Sequence, residues 1–440
     1  MSILTNPVTV SVVVLCVLSL LKLNVLLSML ISCIVGGLVG GIPIYAQQGD
    51  TIMGLLTSGF SKNATTALAY ILLGTFATAI ATTGLADIVS KKLSKVIGGN
   101  KLILLGMFTL IACLSQNLVP IHIAYIPILV PPMLMMMSQM KLDRRAAACC
   151  LAFGHKAPYI AIPFGFGLQF MTIIKDNLTD NGMPVTINQI TSVNWILALA
   201  MLIGLLIAVF VTYRKPREYQ IVEADTAISD SISDTLEYRH FVTMAAIVVV
   251  VVAQVFTQDL ALSALCGLVV MFAFGAIKWN EIDEQLTGGI KLMGMIAFVM
   301  LVAGGFATII RATGGVDALV EAASSAMRGN KVVAATMITL IGLLVTMGIG
   351  TSFGTIPVLA TLYVPLCSQM GFSPAATILL MSAAAALGDA GSPASDTTLG
   401  PTSGLNADGQ HDHIWDTCVP TFIVFNIPLM VAAIIASQFI

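Results

Sequence analysis

Two short segments place ionisable side chains inside otherwise apolar sequence. Gly154-His155-Lys156-Ala157-Pro158 carries His155 and Lys156. Gly388-Asp389-Ala390-Gly391-Ser392-Pro393-Ala394-Ser395-Asp396-Thr397-Thr398 carries Asp389 and Asp396. An ionisable group in hydrocarbon costs roughly 2.5–3.5 kcal/mol, so it lines a cavity or finds a partner. Opposite signs meeting near the centre can hold a cation together with a carboxylate-bearing solute, with Ser392, Ser395 and Thr397 adding hydroxyls. The same residues also suit a plain Lys–Asp clamp between two broken helices. Glycine and proline interrupt both segments, which frees backbone carbonyls and half-helix dipoles for ions.

A second pair of segments offers oxygen without charge: Ser115-Gln116-Asn117-Leu118-Val119-Pro120, and the stretch 346–357 with Thr346, Thr351, Ser352 and Thr355. Hydroxyl and amide oxygens are hard ligands suited to a small cation. Isolated glycines elsewhere read as close helix packing instead. Asp408-Gly409-Gln410-His411-Asp412-His413-Ile414-Trp415-Asp416 could hold a transition metal as bare chemistry. Its His-x-His spacing lacks the i, i+4 helical signature, so helix capping and gating contacts fit better. Arg311, late in an apolar run and near a glycine pair, reads as snorkelling to an interface.

The elements that position these groups are membrane helices. Hydrophobic residues are 57% of the chain and charged residues 10%, against about a quarter charged in a soluble domain, so no hydrated surface can be built. Runs such as Val25–Tyr45, Trp195–Val211 and Phe241–Phe256 approach the roughly 20 residues that cross hydrocarbon and do not alternate, which selects helices over a barrel. The eight cysteines lie in apolar runs without metal or disulfide spacing. A net charge of −2 speaks against nucleic-acid binding, and the polar segments are too short for a separate enzymatic domain.

The chain is also duplicated. At an offset of 230, seven of the twelve residues 76–87 are identical to 306–317, and Gly99-Asn100-Lys101, Ile126-Pro127 and Ser138-Gln139-Met140 recur in register. Beyond the second Ser-Gln-Met the offset is expected to grow by about one helical turn, setting Leu387-Gly388-Asp389 against Phe153-Gly154-His155. The repeats are 1–213 and 240–440, joined by a polar, acidic linker over 214–239. Lysines 91, 92, 95 and 101, then Lys141, Arg144 and Arg145, then Arg214, Lys215 and Arg217 mark cytoplasmic loops, whereas the loop equivalent to the first of these carries no net charge in the second repeat. The fold class is therefore an all-α polytopic membrane protein of two inverted repeats. Each has five spans, a re-entrant hairpin (102–140 and 332–370) and a broken helix, as in secondary transporters.

The paired tips, the paired breaks and the Gly-Asp-Ala-Gly-Ser-Pro-x-Ser-Asp stretch followed by Gly-Gln-His-Asp-His-Ile-Trp-Asp resemble the NhaC-like branch of the ion transporter superfamily, in particular its amino-acid (histidine-type) transporters. The resemblance implies scaffold and transport domains moving as an elevator, a homodimer in the inner (plasma) membrane, and sodium as coupling ion at the tips. Those map to Ser115–Asn117 and to Thr346, Thr351, Ser352 and Thr355, with no other cofactor. Related carboxylate symporters carry Ser-Asn-Thr where this chain has Ser-Gln-Asn and Gly-Thr-Ser.

Two function classes follow. One is a sodium-coupled symporter of an amino acid or similar small carboxylate-bearing solute, with His155 or Lys156 near the carboxylate and Asp389 or Asp396 near the amino group. The other is a sodium/proton antiporter in which one aspartate binds either ion. A two-signed site favours the first.

Overall fold

The computed structural model describes residues 5–21, 23–46, 49–85, 88, 99–117, 126, 130–220, 235–257, 259–315, 318, 329–349, 352–392 and 395–440, and every regular element among them is a helix. In the first half these are α1 (Pro7–Leu20), α2 (Val25–Val39), α3 (Ile52–Phe60), α4 (Ala64–Thr82), α5 (Lys101–Asn117), α6 (Leu134–Gln139), α7 (Arg144–Ala161), α8 (Phe166–Asp180) and α9 (Ile187–Ile207). The second half holds α10 (Tyr238–Thr257), α11 (Leu260–Ala273), α12 (Ile282–Ala312), α13 (Lys331–Ile349), α14 (Ser352–Gln369), α15 (Pro374–Ala386), α16 (Asp396–Leu405) and α17 (Ile427–Ala436). Wide π-type turns over His413–Cys418 and Phe422–Asn426 lead into α17.

Among the described residues, five helical stretches are long and apolar enough to cross a membrane: Ile187–Thr212, Tyr238–Thr257, Met293–Ala312, Pro374–Gly391 and His413–Ala436. The α7–α8 pair, bent by 47°, makes a sixth. Shorter apolar helices pack beside them. The outward face of α9 shows Leu199, Ile203 and Leu206, continued by Phe210 in the π-type turn Ala208–Thr212, and α10 shows Val248, Val252 and Val255. Such stripes would aggregate in water, and they are the solvated surface in lipid.

Local geometry repeats at the 230-residue offset. Lys101 Nζ donates to Lys141 O (3.3 Å) and Lys331 Nζ to Gly371 O (2.5 Å), so the start of α5 is tied to the turn after α6, and the start of α13 to the turn after α14, by the equivalent bond. Lys141 and Gly371 both have positive φ (50° and 72°). The Asn100 and Asn330 side chains cap α5 and α13 in the same way, and Asp143 and Ser373 cap α7 and α15. In the first half Gly154 packs on Ala112, and in the second Gly342 packs on Ala384, with glycine and alanine exchanged at matching positions.

Equivalent helices from the two halves meet face to face. Gly59 of α3 lies against Gly304 and Gly305 of α12, while Gly289 of α12 lies against Thr75 of α4, and Gly74 of α4 against Gly289. The α3–α4 segment and α12 therefore run antiparallel, with glycines where backbones touch.

The structure corrects the sequence reading at the breaks. No break occurs at Gly154–Pro158; α7 runs on to Ala161 with Pro158 inside it. The chain turns instead at Ile162, which precedes Pro163 and is forced out of the helical region (φ −106°, ψ 117°). Nor does the offset grow, since α8 begins at Phe166 and α16 at Asp396, again 230 apart. The position equivalent to Asp389 is thus Tyr159, and that equivalent to Lys156 is Ala386.

Candidate functional site

After α15 the helix is lost earlier than after α7. Leu387 is extended, Gly388 takes φ 80°, and its N–H donates to Asn426 Oδ1 (3.3 Å). A single tight turn, Asp389–Gly391, follows, and the chain re-enters helix at Ser395, whose hydroxyl accepts from Thr397 N. Thr398 Oγ1 donates to Ser392 O (2.5 Å) and Ser395 O (2.9 Å), closing the loop on itself. This geometry turns Asp389 inward.

Asp389 is ion-paired with Lys156 of α7, and both side chains are almost wholly buried. Ser352, the first residue of α14 at the second hairpin tip, donates to Asp389 Oδ2 (2.6 Å) and accepts from Lys156 Nζ (2.5 Å). The Ser395 hydroxyl donates to Asp389 Oδ1. One carboxylate thus joins three separate segments: α7, the second tip and the α16 cap. A buried pair survives only when its spare hydrogen-bonding capacity is filled, and the two serines fill it here.

Aromatic rings enclose this pair. The Lys156 ammonium sits 4.6 Å from the Tyr159 ring centroid, a cation–π contact. Tyr159 packs on Phe170 and, edge-on, on Phe353, which in turn meets Tyr70. Sequence reasoning missed these rings, although Tyr159 stands one helical turn from Lys156 and Phe353 directly follows Ser352. His155 is also buried but faces α16, where an added Cβ at Gly400 would lie 3.7 Å from Cε1.

The first tip is built differently. Asn117 Nδ2 donates to Pro158 O (3.0 Å) and Ile162 O (3.3 Å), sealing the carbonyl end of α7, while its Oδ1 is buried with no hydrogen-bond partner among the described residues. Gly165 follows with φ 57° and ψ −134°, and a Cβ there would stand 1.9 Å from Asn117 O, so only glycine fits. Ser115 Oγ bonds back to Ala112 O, and Thr346 Oγ1 reaches across to Ala384 O (2.8 Å).

Of the residues singled out in the sequence, Lys156, Asp389, Ser352 and Ser395 converge. Ser392 and Thr397 shape their loop, and Thr355 is buried one turn along α14 from Ser352. Asn117 lies at the other break. The side chains of Gln116 and Asp396, and all of Thr351, lie outside the described residues.

A second polar network holds one end of the bundle. Arg144, wholly buried, makes a two-pronged pair with Asp408 (2.7 and 2.6 Å) and stacks on Tyr219. Burial raises the Asp408 carboxyl, and Arg144 together with hydrogen bonds from Gln410 more than offsets this, leaving it below its ordinary range. Arg217 pairs with Asp416 (2.6 Å), and Gln220 and Gln410 exchange two hydrogen bonds. The first residues of the linker are thus tied to the bundle through Arg217, Tyr219 and Gln220, while Arg214, Lys215 and Glu218 stay exposed. Asp412 caps Ile414 and Trp415, His411 contacts Thr417 and His413 contacts Thr402, the capping arrangement expected for this cluster. No group of three or more His, Cys, Asp or Glu side chains placed to hold a metal is found among the described residues.

The chain matches the profile described as Na+/H+ antiporter family over residues 150–434, and a second, described as Na+-H+ antiporter family, over residues 6–97. It is 46% identical to a membrane protein of Vibrio parahaemolyticus, covering 98% of this chain and 99% of that one. It is 44% identical, over 98% and 99%, to the Bacillus subtilis protein named "Putative amino acid transporter YuiF". Among solved structures it shares its fold with Neisseria gonorrhoeae MtrF, described as one of a class of antimetabolite efflux pumps (TM-score 0.57, 14% identity, 99% and 96% covered). The Alcanivorax borkumensis YdaH transporter is similar too (TM-score 0.55, 13% identity, 98% and 97% covered). With buried charges on a helical membrane framework, and relatives matched from end to end, this chain belongs to the Na+/H+ antiporter family of membrane transporters.

Proposed function

We propose that the protein is a sodium-coupled secondary transporter of the inner (plasma) membrane that takes up an amino acid or a similar small carboxylate-bearing solute. The observation that carries this reading is the buried Lys156–Asp389 pair, bridged by Ser352 and backed by Ser395. A zwitterion inserts into such a pair without adding net charge to a low-dielectric interior. Its carboxylate takes the Lys156 ammonium, its ammonium takes Asp389, and neither protein charge is left unpaired. The name of the Bacillus subtilis relative points the same way.

The cation sites are assigned to the tips. Asn117 contributes its unbonded Oδ1 beside Ser115 and Gln116, and Thr346, Thr351, Ser352 and Thr355 serve at the second tip. The antiparallel meeting of α3–α4 with α12 supports an inverted duplication of five spans per half, since equivalent helices cross in opposite directions. An elevator movement within a homodimer fits that architecture, with the basic loops cytoplasmic.

Antiport is the second reading. The Lys156 ammonium occupies on Asp389 the place a small cation or proton would take, so exchange at that carboxylate needs no solute. Uptake of radiolabelled amino acids into proteoliposomes under an imposed sodium gradient separates the two. Symport predicts sodium-dependent accumulation, nearly flat between about pH 6 and 8, because unperturbed carboxylates titrate well below that window. Sodium-driven proton movement without amino-acid uptake establishes antiport instead. Uptake indifferent to choline replacement but lost when the proton gradient collapses overturns sodium coupling.

A further inference from the structure

A small cleft of about 50 Å³, open on one side, lies between the start of α4, the end of α8, the end of α12 and the start of α14. Its polar lining is Asn63, Thr172, Asp176, Asn177, Asp180 and Arg311. Asp176 and Asp180 are one turn apart on α8, and Arg311 comes from the last turn of α12, within electrostatic reach of Asp180. The Arg311 side chain is half-buried, and its Nε is buried without a hydrogen-bond partner among the described residues. A snorkelling arginine would carry its head out to water; this one faces a cavity.

The cleft and the aromatic rings of the central site are built on the same helices. On three helices, moving inward from the cleft leads to an aromatic ring: from Asn63 to Tyr70 on α4, from Thr172 to Phe166 on α8, and from Pro357 to Phe353 on α14. Those rings touch, Tyr70 with Phe166 at 5.6 Å and with Phe353 at 5.3 Å. Ser352, which bridges Lys156 and Asp389, adjoins Phe353. Pro357 is five residues, about 7–8 Å, along α14 from Ser352. The cleft lies at the Asp180 end of the kinked α7–α8 pair, whose other end carries the Arg144–Asp408 network.

We infer that this cleft is an outer capture site for a zwitterionic α-amino acid, with Arg311 taking the carboxylate and Asp176 or Asp180 the ammonium. The Tyr70–Phe166–Phe353 cluster closes it from the Lys156–Asp389 pair. The same two-signed chemistry is thus met twice along one path, first at a half-exposed site and then at a buried one. The inference rests on the amino-acid reading above.

The test is concentration-dependent uptake of radiolabelled proteinogenic L-α-amino acids, supplied singly, by the reconstituted full chain. Arg311→Gln and Asp180→Asn should each raise KM roughly tenfold, the scale of one lost charge-assisted hydrogen bond, and leave Vmax within about twofold. Arg311→Lys should recover most of the KM, which a purely structural arginine would not require. The wild-type KM should rise with choline chloride, and that of Arg311→Gln should not. Wild-type uptake with unchanged KM in both variants overturns the capture site alone. A wild-type protein that moves sodium and protons but no amino acid overturns the amino-acid reading and this inference with it.

Discussion

The two helix breaks resume at equivalent residues, Phe166 and Asp396, yet they are closed in different ways. In the first half the gap is short, Ile162–Gly165. A neutral amide, Asn117, seals it by donating to two carbonyls, and glycine lets the tip backbone press against the break. In the second the gap runs from Leu387 to Ser395 and is filled by a carboxylate, two hydroxyls and an ammonium borrowed from the first half. Duplication supplies the same frame twice, and the chemistry collects where the copies differ. The amide's N–H donors are satisfied within their own half. The Asp389 cluster is satisfied only while three segments stay together, so relative movement of those segments is coupled to the charge.

The largest expected effect comes from unbalancing that cluster. Asp389→Asn or Lys156→Gln leaves one buried charge alone and should cost roughly 3–5 kcal/mol, read as a large fall in melting temperature in detergent. The double variant should regain much of that stability while transport stays absent. Should the double variant transport normally, the pair is only a clamp and the contrast between the two breaks loses its functional meaning.

A smaller effect separates the caps. Gly165 has a backbone conformation open to glycine alone, with Asn117 O where a Cβ would go, so Gly165→Ala should cost about 3 kcal/mol through strain and displacement of the tip. At the equivalent Ser395, glycine preserves much of the cap but removes a bond to a carboxylate, and Ser395→Gly should cost about 1–2 kcal/mol. Thermal melting of the two variants side by side checks the order, and a reversal would mean that the second break is the more rigid of the two.

Much of this was legible in the chain. The all-helical membrane fold, the 230-residue register and the partnership of Lys156 with Asp389 follow from composition, internal identity and the cost of buried charge. The position of the first break was not. Pro158 marks a helix breaker as clearly as Pro163 does, but it removes only the bond to the Gly154 carbonyl and α7 runs through it, whereas the last carbonyls of α7, Pro158 O and Ile162 O, are closed by Asn117 from a distant segment. The expected widening of the offset failed for a related reason. Matching Asp389 to His155 paired residues by chemistry, whereas the fold pairs them by helix ends and leaves Asp389 opposite Tyr159. The cleft at Arg311 was hidden because an arginine late in an apolar run reads as interfacial until the partner helix α8 is placed beside it.

The smallest expected effect concerns how the helix after the second break is held. The end of α16 is anchored by Arg144 on Leu405 O and Asp408, and the segment beyond it buries His411, whose Nε2 meets Thr417 Oγ1 at 2.7 Å and whose N–H donates to Asn406. Burial lowers the His411 pKa to about 4; Asp416 and Asp143 oppose this, while Arg144 and Arg217 add to it. The ring is therefore neutral in the folded protein at pH 7 and binds a proton more readily once unfolded, where histidine titrates near 6.5. With the unfolded state holding more protons between about pH 6.5 and 4, stability must fall as pH is lowered through that window. The contribution amounts to on the order of 1–2 kcal/mol by pH 5. Asp408, held below the ordinary carboxylate range, loses its contribution only under still more acidic conditions, so the window reports on histidine. The wild-type melting temperature should drop between pH 7 and pH 5, and His411→Gln should flatten that slope. An unchanged slope in the variant would place the acid sensitivity elsewhere and leave the two post-break helices anchored alike with respect to pH.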